Sequence, residues 1–219
     1  MNLWDWDYAW ETLPTLLRGL VVTVEATVLA AALALVLGAV WAVFGFVRVP
    51  VVSSGIWWLV EFFRGTPLLV QLYFFFYVFP EFGIVFSPFV TGVIGLGMYS
   101  SAYMSEVYRA GIMNVDEGQI DAAQALRIPP LRRWTDIILP QAIRSVTPAL
   151  GNYVIVMFKY TPILALITVN ELMRSALNVG SLSFRYIEPM TLVGVLFLLI
   201  SIPAMVAIRR LEAMGHRMS

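Results

Sequence analysis

Asp116-Glu117-Gly118-Gln119-Ile120-Asp121-Ala122-Ala123-Gln124-Ala125-Leu126-Arg127, followed by Ile137-Ile138-Leu139-Pro140, is a polar, partly amphipathic island in a chain otherwise built for lipid. Asp116 can cap a helix, and Gln119 three residues later completes a capping-box pattern. Ala122, Ala123, Ala125 and Leu126 favour helix, and Pro129-Pro130 stop it. The spacing therefore predicts a short helix with small side chains, then a second segment through Trp134 and Ile137. Two readings fit such a helix. It lies on the membrane as an ordinary amphipathic loop helix, or it sits deep in a groove on a cytoplasmic protein.

The composition shows why the island stands out. Of 219 residues, 60% are hydrophobic and 13% are charged, with a mean hydropathy of +0.82. A soluble domain carries roughly 25% charged residues. One soluble core cannot bury this much apolar surface, so lipid must be the solvent for much of it. The 14 basic and 14 acidic residues cancel, which implies no general attraction to nucleic acid. The absence of cysteine removes disulfides, thiolate metal sites and cysteine nucleophiles together. The lone His216 lies in the tail, where a solvated or headgroup role is expected rather than metal binding. Met1-Asn2-Leu3-Trp4-Asp5-Trp6-Asp7 is acidic and aromatic where a cleavable signal needs a basic start. Trp4, Trp6, Tyr8 and Trp10 read as an interfacial belt.

Five apolar stretches, near 16–46, 55–79, 88–112, 146–169 and 189–208, are long enough to cross about 30 Å of hydrocarbon as helices. The fold expected is all-α and integral to the membrane. It is a single transmembrane domain over residues 1–219, with a loop at 113–145 between spans three and four. Turn signals at Arg48-Val49-Pro50, Phe79-Pro80-Glu81-Phe82-Gly83 and Asn178-Val179-Gly180-Ser181 separate the spans. Arg48, then Arg127, Arg132 and Arg133, then Arg209, Arg210 and Arg217 share one side if the N-terminus is outside. Asp5, Asp7, Glu11, Glu81, Glu171 and Glu188 lie opposite, with Arg18, Arg174 and Arg185 as exceptions. The positive side faces the cytoplasm, which puts the N-terminus outside and the C-terminus in the cytoplasm. On span one, Ala26, Ala30, Ala34, Gly38 and Ala42 recur every four residues, a groove that lets another helix approach closely. Gly92, Gly95, Gly97, Ser100 and Ser101 thin span three similarly.

Charged and polar groups inside spans are costly unless paired or wet, so each is a candidate site residue. Lys159 lies near the middle of span four. Pro162 frees the carbonyl of Phe158. Lys159 and Thr161 either line a solute pathway, or Lys159 neutralises a carboxylate for packing. Glu61 and Arg64 share a face of span two and form an internal ion pair or contact solute. Pro67 frees the carbonyl of Phe63. Gln71 offers a donor and an acceptor for a neutral contact near midspan, followed by Tyr99 and Ser100 on span three. Glu106 and Arg109 pair with each other or with the loop. Phe74, Phe75, Phe76 and Tyr77 either stack on a cation or face lipid and core.

Several of these segments carry a resemblance. Asp121-Ala122-Ala123, Arg127, and Ile137-Ile138-Leu139-Pro140 resemble the EAA loop of ABC-importer permeases, with Asp121 where Glu is usual and Arg127 where Gly is usual. Glu61-Phe62-Phe63-Arg64-Gly65-Thr66-Pro67-Leu68-Leu69-Val70-Gln71, Glu106-Val107-Tyr108-Arg109-Ala110-Gly111-Ile112, Gly118-Gln119, Ile138 to Arg144 and Pro148 to Tyr153 are similar to polar amino-acid uptake permeases. Met157-Phe158-Lys159-Tyr160-Thr161-Pro162 most resembles ectoine/hydroxyectoine permease subunits.

The resemblance implies the permease of a type I ABC importer in a bacterial inner membrane. It would pair with an identical or sister permease, two ATPase subunits and an extracytoplasmic solute-binding protein. Gln119, Asp121, Ala122, Ala123, Leu126, Arg127 and Pro140 would couple it to the ATPases. ATP and Mg would be bound by those partners. The chain has no Gly-x-x-x-x-Gly-Lys-Ser/Thr segment and so is expected to hold no ATP by a P-loop; with no Cys, one tail His and scattered carboxylates, it is expected to be no enzyme and to hold no cofactor or metal. The implied solute is a small polar zwitterion, with ectoine or hydroxyectoine first and a polar amino acid second. The rival class is an ion-coupled carrier or channel without an ATPase.

Overall fold

The computed structural model describes residues 4–46 and 49–215, apart from the side chains of residues 214 and 215. The expectations placed on Met1 to Leu3, Arg48, His216 and Arg217 lie outside the described residues. Helix α1 runs over Trp6–Gly45, ten residues earlier than its apolar stretch, because the Asp5 carboxylate caps it by accepting from the Asp7 and Tyr8 N–H groups. Helix α2 covers Pro50–Gly65 and α3 covers Leu68–Tyr73, followed by a π-helical turn at Phe74–Val78 and a 3-10 turn at Phe79–Phe82. Helix α4 is Pro88–Met113, α5 is Glu117–Ala125 and α6 is the single turn Pro130–Arg132. A π-helical turn at Arg133–Ile138 leads into α7, Leu139–Tyr160, which ends in a 3-10 segment at Thr161–Ile167. Helices α8, Leu172–Ser183, and α9, Ile187–Gly215, complete the chain.

Helix α1 packs along α4, and the small-residue stripe is the seam. Ala26, Ala30 and Ala34 are fully buried, and Gly38 and Ala42 are buried below them. A Cβ on Gly38 would stand 3.0 Å from Met104 Cβ and from the Ser101 carbonyl. The approach is mutual, since a Cβ on Gly97 of α4 would stand 2.7 Å from Leu33 Cδ2. Higher on α1, a Cβ on Gly19 would meet Ser175 Oγ at 2.5 Å and the Leu172 Cα at 2.9 Å, so α8 rests directly on α1.

Among the described residues, three stretches are long and apolar enough to cross a membrane: Trp6–Gly45, Pro130–Ile167 and Ile187–Ala213. The pair Pro50–Gly65 and Leu68–Phe82 makes a fourth if a bent span is counted. The sequence suggested five, and the difference is α4. Its Gly, Ser and Tyr residues make it the interior helix of the bundle, where neighbours rather than lipid cover it. Span two is not one helix over 55–79. It bends by 103° at Thr66-Pro67, because Pro67 lacks an N–H and holds Thr66 in an extended conformation. The turn expected at Asn178 to Ser181 is also misplaced. Those residues are helical within α8, a helix the sequence reading did not anticipate. Gly180 is there to admit the Tyr186 ring, which a Cβ would approach to 2.5 Å. The chain turns instead at Phe184, which has φ 56°.

An ionic cluster ties the chain start to the α8–α9 turn. Arg185 bonds Asp5 Oδ2 at 3.1 Å and Glu188 Oε1 at 2.6 Å, and its guanidinium lies 4.5 Å from the Tyr8 ring centroid. Tyr8 hydroxyl and Ser183 hydroxyl also share a hydrogen bond. The Tyr8 N–H, with Arg185 adding to it, holds the Asp5 carboxyl below the usual carboxylate range. The clamp thus keeps its charge as pH falls through that range and loses it only below.

The glycine contacts set a graded expectation. Gly19→Ala should lower stability by about 1–3 kcal/mol, read as a lower unfolding temperature in detergent. Gly55→Ala, in open space, should leave it unchanged or raised. Equal effects at the two positions would contradict the seam.

A seated surface helix and a polar face between three helices

Helix α5 is capped by Asp116, whose Oδ1 accepts from the Gly118 N–H at 2.7 Å. The expected capping box does not form among the described residues: the Asp116 side chain accepts from Gly118, one residue short of Gln119, and Gln119 returns no bond to Asp116. Ala123 is buried, and the half-buried Ile120 packs, with Ile112, against Val115, Ile138 and Ala142. Val115 follows α4, Ile138 ends the π turn Arg133–Ile138 and Ala142 lies in the first turns of α7, so α5 is seated on the π turn where the end of α4 meets the start of α7. Gln119, Asp121, Ala122, Gln124 and Leu126 point outward, with Leu126 76% exposed. Leu131 and Trp134 are exposed beyond α5, and Trp134 makes an edge contact with Phe46, which caps the end of α1.

Arg127 closes α5 in the left-handed conformation, with φ 52°. Its N–H donates to the Gln124 carbonyl at 2.9 Å, and the Ile128 N–H donates to the Ala123 carbonyl at 3.0 Å. This is a Schellman ending, which normally uses glycine. Arginine accepts the position at a cost of about 1 kcal/mol, and the turn survives the replacement. Pro140 falls at the start of α7, and the widened π turn before it accommodates its missing N–H and its ring.

Of the two carbonyls expected to be freed by proline, that of Phe63 relies on a side-chain donor, whereas that of Phe158 keeps a backbone donor, the Thr161 N–H, because the chain tightens into the 3-10 segment. Gln71 Nε2 donates to the Phe63 carbonyl at 2.9 Å, to the Thr66 carbonyl at 3.1 Å and to Thr66 Oγ1 at 2.7 Å. Thr161 Oγ1 donates to the Phe158 carbonyl at 2.7 Å. Both residues are buried. Gln71 and Thr161, expected to face solute, thus have their donors committed to backbone, and only Gln71 Oε1 remains without a partner.

The other pathway candidates divide. Glu61 and Arg64 form the expected pair, with Nη1 to Oε1 at 2.9 Å and both side chains roughly one-third exposed or more. Tyr99 is half-buried and its hydroxyl lies 3.2 Å from that of Tyr103. Ser100 is buried beside it on α4. Lys159 sits in the last turn of α7, exposed and without an ion-pair partner among the described residues. Its position in the last turn favours a cation through the helix C-terminus. Glu106 and Arg109 pair with each other at 2.7 Å. Phe74 and Tyr77 are exposed on the π turn and pack on aromatic neighbours.

The sequence reading missed Tyr103, Tyr153 and Tyr160. Tyr103 carries the Arg64 guanidinium 5.7 Å from its centroid, and its ring lies 6.1 Å from that of Tyr153. Tyr160 lies 6.3 Å from Tyr99. The signal was present, since Tyr99 and Tyr103 are one helical turn apart and Tyr153 and Tyr160 two turns apart. The reading also missed Glu171, fully buried, which caps α8 through the Met173 and Arg174 N–H groups and accepts from Thr23 of α1.

This arrangement of a seated surface helix on a bundle of broken spans has known counterparts. Residues 34–214 match the family described as the binding-protein-dependent transport system inner membrane component. The chain belongs to this family. With its apolar helices, this makes it a multi-pass membrane protein. It is 45% identical over 202 residues to a probable amino-acid ABC transporter permease protein of Sinorhizobium fredii, covering 92% of this chain and 87% of that one. It is 33% identical over 201 residues to the arginine transport system permease protein of Bacillus subtilis, covering 90% of each. Its fold superposes on the crystal structure of an amino acid ABC transporter with histidines at a TM-score of 0.90 and 32% identity, covering 98% of this chain and 99% of that one. An inward-facing MetNI methionine ABC transporter shares the fold at a TM-score of 0.70 and 17% identity, over 91% of this chain and 97% of that one.

Two substitutions check the local geometry. Gln71→Leu strands the Phe63 and Thr66 carbonyls and should cost about 1–3 kcal/mol, seen as a lower unfolding temperature. Arg127→Gly relieves the left-handed turn and should add about 1 kcal/mol. A destabilising Arg127→Gly would show that the arginine side chain, not the backbone, holds the turn.

Proposed function

We propose that this chain is the membrane-spanning permease of a type I ABC importer that takes up a small polar zwitterion, a polar amino acid before ectoine or hydroxyectoine. The observation that carries the reading is α5. It is a short capped helix with an exposed face of small and acidic side chains, seated on α4 and α7. The relatives' names support the amino acid, whereas the ectoine reading rests on residues 157–162 alone. An ion-coupled carrier or channel leaves the seated helix without a task.

On this reading α4 is the fifth span, enclosed by its neighbours. The N-terminus lies outside and α5 lies in the cytoplasm, on the side of the arginine-rich segments. Two ATPase subunits receive the α5 faces of this chain and of an identical or sister permease. They bind ATP and Mg, since this chain has no Gly-x-x-x-x-Gly-Lys-Ser/Thr segment. ATP binding draws the ATPases together and moves α5, and α4 and α7 move with it because their ends form its seat. The pathway then opens outward to an extracytoplasmic binding protein. Hydrolysis returns it.

The test is ATPase activity of the complex in lipid nanodiscs with its binding protein and a panel of ectoine, hydroxyectoine and polar amino acids. Stimulation by amino acids is expected. Asp121→Lys, reversing the charge on the exposed face of α5, should abolish the stimulation while the complex still folds. Full stimulation in that variant would remove α5 from the coupling path.

A further inference from the structure

Helix α1 has two faces, and the second carries charge. The small-residue face, from Ala26 to Ala42, is spent on α4. On the opposite face Leu17, Val21, Val24 and Val28 are exposed, with Val21 at 56% and Val28 at 59%. Their spacing of four, three and four residues is that of a helix seam that packs against another helix. The rest of the bundle leaves this seam open.

Glu11, Arg18 and Glu25 run along its flank. Seven residues bring a helix back to within about 20° of the same direction. The three therefore form one line, acidic, basic, acidic, with about 10.5 Å between neighbours. All three are exposed, and none has an ion-pair partner among the described residues. Glu25 decides what this face can meet, because no other residue between Gly19 and Val47 is charged. An ionisable group in such a stretch is costly unless it pairs or borders water. Arg18 has a way out, since its long stem can carry the guanidinium to the headgroups. Glu25 has no such stem, and Arg18 stands two turns away.

The apolar seam alone would suit lipid, and the carboxylate in it does not. A second α1 does not suit it either. Two copies related by a two-fold axis along the membrane normal set Glu25 against Glu25 at equal depth, where like charges repel. We infer that this face of α1 receives a transmembrane helix of another subunit, one that brings a basic side chain to the depth of Glu25 and an acidic one toward Arg18. This face lies outside the importer reading, which assigns α1 no partner. Shape at the seam supplies the close packing that lipid does not drive. The charge line fixes the register, because a slip of one heptad sets like charges together.

The test places a photoreactive benzophenone side chain at Val21 or at Val28, in membranes of cells that make the whole assembly. Irradiation should give an adduct to protein, and mass spectrometry should locate it in a transmembrane segment that carries Lys or Arg. Glu25→Lys should lose the adduct and Glu25→Gln should weaken it. Replacing the partner's Lys or Arg by Glu should restore the adduct to Glu25→Lys. Because Glu25 is exposed and lies away from the α1–α4 seam, the amount of chain in the membrane should not change in either variant. An adduct to lipid alone, to α1 of a second copy, or to a segment without a basic residue overturns the interface. So does an adduct that Glu25→Lys leaves at full yield.

Discussion

A backbone carbonyl without a donor costs several kcal/mol in hydrocarbon, and at the corner between α2 and α3 Pro67 cannot donate to that of Phe63. Pro162 likewise cannot donate to the Phe158 carbonyl, which accepts from the Thr161 N–H and hydroxyl instead. The rest of the polar architecture follows from how those carbonyls are satisfied. Gln71 reaches back across the break between α2 and α3 and bonds both backbone and Thr66, which fixes the 103° corner. Thr161 closes the end of α7 on itself and lets the chain tighten into a 3-10 segment. With both corners held, Arg64 is delivered to α4, and Tyr160 ends α7 beside Tyr99.

The seam between α1 and α4 is the complementary constraint. Water does not drive helices together in lipid, so close approach must come from shape. Alanines and Gly38 on α1 and Gly97 on α4 supply it, and α4 becomes the enclosed helix of the bundle. That position makes α4 a mechanical link. At one end it helps to seat α5, where Gly111 lets Val146 of α7 approach so closely that a Cβ would sit 2.1 Å from it. Further along it carries Tyr99 and Tyr103. On the proposed reading, a displacement of α5 reaches α4 and α7 through the turns that join them to it.

Much of this was legible in the sequence, for identifiable reasons. The island around Asp121, the four-residue stripe and the two prolines are local signals, and local chemistry determined what they built. Gln71 shows the limit. Its polarity and depth could be read, but its acceptor lies eight residues back across a corner whose angle no pattern encodes. Arg127 shows the converse, since the turn it closes is set by backbone hydrogen bonds that tolerate a residue other than glycine. Helix α8 was missed because its packing glycine, Gly180, reads locally as a turn. The tyrosines of α4 and α7 were visible as spacing on separate helices, and only the packing of the two helices brings them together.

The chain contains no cysteine, so single cysteines report position without background. The most direct measurement is the rate at which a membrane-impermeant thiol reagent labels Tyr160→Cys and Val195→Cys in the complex with ATPase subunits, with and without ATP. Val195 lies on an apolar surface of α9 with Leu198, Leu199 and Ile202. A water-lined face between α2, α4 and α7 that α5 drives requires rapid labelling of Tyr160→Cys, changed by ATP and slowed by solute, while Val195→Cys stays unlabelled. Labelling of Tyr160→Cys as slow as that of Val195→Cys in both nucleotide states would contradict it.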